Sequence, residues 1–392
     1  MDYRILGRTG IKVSVIGIGG EGLEGKSPTQ CEELIDCAMS NGINFIDIYN
    51  SNPEMRSNVG NALKKYERES YVIEGHLCSL WENGQYRRTR DLNETKLAFK
   101  DLLERLQTSY IDVGMIHYCD DLKDFNIIMN GEVIEYAKEL KADGIIKCIG
   151  MSTHNPDVAI KCVESGLIDV ILFSINPAYD MLPPSEDVDV LFDENTFKDI
   201  AYEGIEPKRS RLYSMCESEG VALTVMKGFA AGTLFDEKTS PFDKAMTPVQ
   251  CIHYCLTRPG VASVMAGIKN KDEIISCSSY CSTDEIDRDY SFILSEAPKS
   301  SFKGQCMYCG HCAPCAKSID IASVNKYLDL ALMQENVHET LIDHYNLLPH
   351  HAGECIQCGA CIKNCPFGVN IIDKIINVYG PELKLDIKDI KN

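Results

Sequence analysis

Eight of the chain's nineteen cysteines fall in two short runs whose spacing is that of metal chemistry. "CMYCGHCAPCA" places Cys306, Cys309, Cys312 and Cys315 at even intervals, and "CIQCGACIKNCPFG" places Cys355, Cys358, Cys361 and Cys365 in a C-x2-C-x2-C-x3-C-P run. Three closely spaced thiolates can wrap one cubane of iron and sulfide, while the fourth, held by the following Pro366, usually ligates a second cluster. Two 4Fe-4S clusters are therefore expected, one on Cys306, Cys309, Cys312 and Cys365, the other on Cys355, Cys358, Cys361 and Cys315. Structural zinc is the alternative, but a zinc site normally draws two pairs from separate turns.

A second set of reactive side chains sits at the ends of apolar runs. Asp47 and Tyr49 belong to "FIDIYNSNPE", His76 to "YVIEGHL" and His117 to "IDVGMIHY". Histidine changes charge near neutral pH, so two histidines beside a carboxylate and a phenol are suited to moving protons. If these strand ends meet, Asp47, Tyr49, His76 and His117 form an acid-base pocket; the competing reading is a polar cluster that only ties strand ends together.

The elements that must position these residues can be read from hydrophobic patterning. Apolar runs at 15, 43, 71, 111, 145, 169, 221 and 263 alternate with helix-like stretches. Their continuous apolar character suits parallel strands covered on both faces. The clearest helix is "SPTQCEELIDCAMSNG", with Ser27 and Gln30 as a capping box, Pro28 at the first helical position and Asn41-Gly42 as the stop. Eight such units predict an α/β fold, a closed (β/α)8 TIM barrel over residues 1–285, whose chemistry lies where strands run into helices. A small α-helical, ferredoxin-like iron-sulfur domain is expected over 286–392, with the stretch 323–348 as a helical spacer whose four nearby histidines are packing or surface residues. Two loops at the reactive rim are long, "CSLWENGQYRRTRD" and 177–207, and long loops there tend to be functional. The glycines of "GIGGEG" also fit a dinucleotide-binding turn with Asp47 as the ribose acid, a weaker reading against eight units in series.

Composition narrows the classes. A formal charge of -19, from 39 basic and 58 acidic residues, opposes binding to nucleic acid, which needs clustered Lys and Arg. No apolar run is long enough to span a bilayer, and the opening "MDYRILGRTG" lacks a signal-peptide pattern. The protein is expected in the cytoplasm, where clustered thiols more often mean metal than disulfides. Oxygen-sensitive clusters point to an anaerobe.

Taken in order, "YRILGRTGIKVSVIGIGG", "NGINFIDIYNSNPEMRSNVGNALK", "IDVGMIHYCDD", "IIKCIGMSTHNP", "VALTVMKGFAAGTL" and "RPGVASVMAGIKNKDEI" resemble an aldo-keto reductase barrel, here followed by a bacterial ferredoxin-like segment. The resemblance implies a catalytic Asp, Tyr, Lys and His with NADPH as hydride donor. Asp47 and His117 match; Asn52 falls at the tyrosine position and His76 at the lysine position. It also implies that Ser152 touches the nicotinamide amide and that Gly267, Lys269 and Asn270 surround the adenosine phosphate, with Lys269 favouring NADP(H). Leu172 or Phe173 replaces a usual polar contact. A nicotinamide passes two electrons as hydride and a cluster passes one, so the clusters are structural, a flavin or other mediator links the two, or the substrate is reduced in single-electron steps. The expected function is an iron-sulfur oxidoreductase acting on a small organic carbonyl or related substrate, with electrons exchanged with a partner protein. The alternative is an electron carrier whose barrel has become a docking scaffold.

Overall fold

The computed structural model describes residues 1–191, 193, 196–197, 203–297, 302–334 and 337–379. Parts of the 177–207 loop, residues 335–336 of the expected spacer and 380–392 of the expected second domain lie outside the described residues. Eight parallel strands close into a barrel: β1 (Ile16–Gly19), β2 (Phe45–Ile48), β3 (Val72–Leu77), β4 (Ile111–Ile116), β5 (Ile146–Thr153), β6 (Val170–Ser174), β7 (Ala222–Met226) and β8 (Val261–Gly267). Each of the apolar runs read from the sequence supplies one strand, because both faces are covered: one by neighbours inside the barrel, the other by helices.

The helices return the chain between strands: α1 (Pro28–Ser40), α2 (Pro53–Leu63), α3 (Leu92–Leu106), the pair α4 (Leu122–Met129) and α5 (Glu132–Ala142), α6 (Pro156–Glu164), α7 (Pro207–Glu219), α8 (Pro248–Leu256) and α9 (Lys271–Ser278). The expected capping box of α1 forms, Ser27 accepting from the Gln30 amide and Gln30 reaching back to the Ser27 amide. Phe45, Val72, Val113, Met115, Cys148, Val170 and Leu172 fill the barrel interior, and Leu6 and Val13 of the hairpin Tyr3–Ile5 with Lys12–Ser14 join them from below. That hairpin was not foreseen from the sequence.

The glycine-rich turn after β1 is a packing device rather than a phosphate cradle. A Cβ on Gly22 would stand 1.7 Å from the Ile268 carbonyl oxygen, and one on Gly20 would stand 2.5 Å from that of Asp47. The dinucleotide-turn reading therefore gives way to a barrel whose first loop presses against its neighbours. The loop after β3 is not irregular: Ser79–Glu82 pairs with Gln85–Arg88 through Asn83 and Gly84, both with positive φ, the turn that suits a two-residue hairpin.

Beyond α9 the chain forms α10 (Ile321–Leu332), α11 (Glu339–Asn346), α12 (Ala360–Asn364) and α13 (Ile371–Tyr379). The expected spacer is thus two helices, the second capped by the His338 side chain. This region seats on the outer flank of the barrel at α7 and α8. Arg258, just past α8, donates to the Met307 carbonyl at 2.6 Å, Tyr290 donates to the same oxygen at 2.8 Å, and Gln305 accepts the Ile205 amide at 2.9 Å. Beneath, Asp180 from the 177–207 loop accepts from the Tyr213 and Tyr254 hydroxyls at 2.5 and 2.7 Å, so the start of that loop is a buried anchor.

Candidate functional site

Strand periodicity builds the site. On β2 the inward residue after Phe45 is Asp47; on β3 Val72 is followed by Glu74 and His76; on β4 Met115 is followed by His117. Asp47 and Glu74 are register partners on adjacent strands, so both carboxylates enter the barrel side by side. The His76 and His117 rings meet with Nδ1 to Nδ1 at 2.7 Å, which requires one hydrogen shared between them. On its other side, His76 Nε2 lies 3.1 Å from Asp47 Oδ1. The two atoms are close but out of hydrogen-bonding alignment, and each remains without a hydrogen-bond partner.

Glu74 is fully buried and was missed in the sequence reading. Its signal was present: an acidic residue in "YVIEGHL", two positions before His76 and so on the same face. One carboxylate oxygen accepts from Thr224 Oγ1 at 3.3 Å across the barrel, while the other has no partner. Burial, followed by the neighbouring Asp47 charge, pushes the Glu74 carboxyl well above the usual range despite the Thr224 hydroxyl. Burial, then His76 and Arg90, holds His117 well below an ordinary histidine, so its ring is neutral at physiological pH.

Tyr49 lies half-buried at the mouth, its ring 6.3 Å from that of His117 at an interplanar angle of 15° and 6.4 Å from that of His76. Burial, then Glu21 and Asp47, raises its hydroxyl above the usual tyrosine value, which makes it a poor acid and a good aromatic wall. Tyr86, at the tip region of the hairpin after β3, packs edge-on against both Tyr49 and His117 at 5.9 and 5.8 Å. Arg90 grips the His117 carbonyl at 2.9 Å while paired with Asp124 at 2.6 Å. Asn52 points elsewhere: its Oδ1 caps α2 by accepting the Glu54 and Met55 amides.

Of the residues expected to hold a nicotinamide, Ser152 ends β5 and accepts the Tyr118 amide at 2.8 Å. Gly267 pairs with Gly19, which pairs with Asp47, placing all three at one level of the rim, and nothing lies within 4 Å of where a Gly267 Cβ would be. Lys269 is exposed, and Asn270 caps α9 through the Glu273 amide. Leu172 points into the barrel and Phe173 toward the helices.

The eight cysteines form two groups away from this mouth. Cys315, Cys355, Cys358 and Cys361 line one cavity with Ile319 and Ile321. Burial, then the thiols of Cys306, Cys309 and Cys365, pushes Cys312 up to about 12. Of the histidines in and beside the expected spacer, His344 pairs with Glu217, His350 with Glu354, and His351 meets the Tyr345 carbonyl. Among the described residues, Asp47, Glu74 and His76 are the trio whose ligand atoms all lie within 4.8 Å of one another.

Residues 15–250 match the model of the aldo/keto reductase family. The chain belongs to that family. Among its relatives are aldo-keto reductase YhdN of Bacillus subtilis, 30% identical over 202 residues (49% of this chain and 57% of that one), and the uncharacterized oxidoreductase YqkF of the same organism, 26% identical over 286 residues (70% and 89%). The NADH-specific methylglyoxal reductase of Escherichia coli is 31% identical over 187 residues, covering 42% of this chain and 56% of that one. The chain thus spans little more than half the length of two of these reductases. The fold matches that of aldo-keto reductase AKR11C1 from Bacillus halodurans in its holo form, with a TM-score of 0.58 and 22% identity over 77% of this chain and 98% of that one. Among the described residues no helix is long and apolar enough to cross a membrane.

Proposed function

We propose that this aldo/keto reductase family chain is an iron-sulfur oxidoreductase that interconverts a small carbonyl compound, or a related oxygen-bearing substrate, and its reduced form at the barrel mouth. The observation that carries the iron-sulfur part is the grouping of Cys315 with Cys355, Cys358 and Cys361 around one cavity. That is the crossed arrangement in which the fourth cysteine of one run serves the cluster of the other. Four cysteines in one short run suit a cluster, whereas a zinc site normally draws two pairs from separate turns. When bound, the clusters supply single-electron transfer, and two of them match the two electrons of a carbonyl-alcohol conversion.

The barrel residues would hold the substrate oxygen and stabilise charge on it. With His76 donating its Nδ1 hydrogen to Nδ1 of the neutral His117, the single hydrogen of His117 sits on Nε2, available to a substrate oxygen. Tyr49 and Tyr86 would wall the mouth beside that hydrogen. NADP(H) at Ser152, Gly267, Lys269 and Asn270 fits the open rim at Gly267, while Leu172 offers no polar contact. We place the electron exchange with a small redox protein, since Cys358 is exposed.

The experiment is anaerobic purification with iron and sulfide counted, then stepwise reduction by NADPH and, separately, by reduced ferredoxin, followed through the visible absorption. About eight irons per chain and bleaching by either donor, reversed by a carbonyl such as methylglyoxal, are expected. Zinc in place of iron, or carbonyl turnover that survives Cys309→Ala and Cys358→Ala with the clusters lost, would overturn the proposal.

A further inference from the structure

We infer that Asp47, Glu74 and His76 form a binding site for one divalent first-row transition-metal ion inside the barrel mouth, with coordination positions left for water or a substrate oxygen. The inference deepens the reading of this pocket and rests on it for the substrate oxygen, but not for the cation.

The geometry separates a cation site from an ordinary ion pair. Asp47 Oδ1, Glu74 Oε1 and His76 Nε2 are all buried and all without hydrogen-bond partners, and their residues bring ligand atoms within 4.8 Å of one another. Asp47 Oδ1 and His76 Nε2 stand 3.1 Å apart without pointing along a hydrogen bond. Ligands of a common ion show that relation, because each aims at the ion and not at the other. With metal bonds of about 2.1 Å, neighbouring ligands are about 3.0 Å apart in an octahedron and about 3.4 Å apart in a tetrahedron. Three buried polar atoms turned inward without partners are costly, and a cation that displaces the Glu74 proton would satisfy all three. Two carboxylates and a neutral imidazole balance a divalent charge.

His117 completes the arrangement from outside. Its Nδ1, 2.7 Å from His76 Nδ1, can accept the hydrogen of that nitrogen, which fixes the tautomer and leaves the His76 Nε2 lone pair facing the carboxylates. Metal-ligating histidines are characteristically oriented in this way through their second nitrogen. One imidazole with two carboxylates suits manganese, iron or zinc, and three protein ligands with an open position is the pattern of a site that polarises substrate.

The test uses the full chain with its iron and sulfide complete and oxidised, stripped of loose metal by a chelator and titrated with Mn²⁺ under anaerobic conditions. Loss of the free six-line electron paramagnetic resonance signal counts the bound ion, and pulsed measurements read nitrogen coupling to it. The expected result is one Mn²⁺ per chain with coupling to a single imidazole nitrogen, weakened roughly tenfold or more in Glu74→Gln and Asp47→Asn with iron and sulfide content unchanged. Binding no tighter than in Glu74→Gln, or bound Mn²⁺ without nitrogen coupling, would overturn the inference. The nitrogen coupling is read on the unaltered chain, so it stands even where a variant misfolds. Failure of Mn²⁺ to bind leaves the bleaching experiment untouched, and failure of bleaching leaves this one untouched.

Discussion

His117 shows how its surroundings fix what a histidine can do. Burial and the nearby His76 and Arg90 keep its ring neutral, and the 2.7 Å contact with His76 couples the hydrogens of the two. His117→Ala should therefore lower the single-turnover rate at which a carbonyl reoxidises the reduced protein by roughly 10²- to 10³-fold, the range of a lost hydrogen-bond donor to a developing oxyanion. Iron content should be unchanged. Asn52 serves its own helix: its side chain is spent on two amides at the start of α2. Asn52→Ala should cost about 1 kcal/mol of stability, as the loss of a helix cap does, read as a lower denaturant midpoint with an unchanged slope.

Among the elements, strands were legible because a run buried on both faces announces itself by continuous apolar character. What sits on their inner face was less so. His76 and His117 end their strands and stand out, whereas Glu74 lies within one and was absorbed into the run; its Thr224 partner is 150 positions away, a distance over which spacing says nothing. The hairpin after β3 carried its own mark in Asn83-Gly84, and was still read as a plain long loop because its strands are polar and half-exposed. Its contribution is the Tyr86 ring against Tyr49 and His117. Aromatic pairs of this kind are worth about 0.5–1.5 kcal/mol, so Tyr86→Ala should raise KM by roughly two- to tenfold. Tyr86 is 47% exposed, and the melting temperature should hardly move.

At the scale of the molecule, one carboxylate fastens the cysteine-bearing region to the barrel. Burial alone would raise Glu217, but His344, Lys326 and the Gly260 amide outweigh it and hold it at about 2; His344 is raised in return, chiefly by Glu217. The Glu217 contribution is complete above its ordinary 4.5 and fades as pH falls toward 2. That of His344 is complete below 6.5 and fades as pH rises through its raised folded value. Docking should then be firmest between about pH 4.5 and 6.5, with Lys326 retaining part of the hold above it. Limited proteolysis of the segment joining barrel to helices should be slower at pH 6 than at pH 8.5, and His344→Gln should flatten the difference. The same docking fixes where the cysteines are. Cys306 shares a cavity with Tyr213 of α7 and with Arg258 just past α8, on the flank of β7, and β7 is four strands around the closed ring from β3, which carries Glu74 and His76. Electron tunnelling weakens exponentially with separation, so for clusters of the proposed kind the barrel wall and its helix layer would act as insulation from the mouth. In the circuit proposed above, a shuttle would link flank to mouth: a soluble carrier, a bound mediator, or a neighbouring molecule that brings its flank to this mouth.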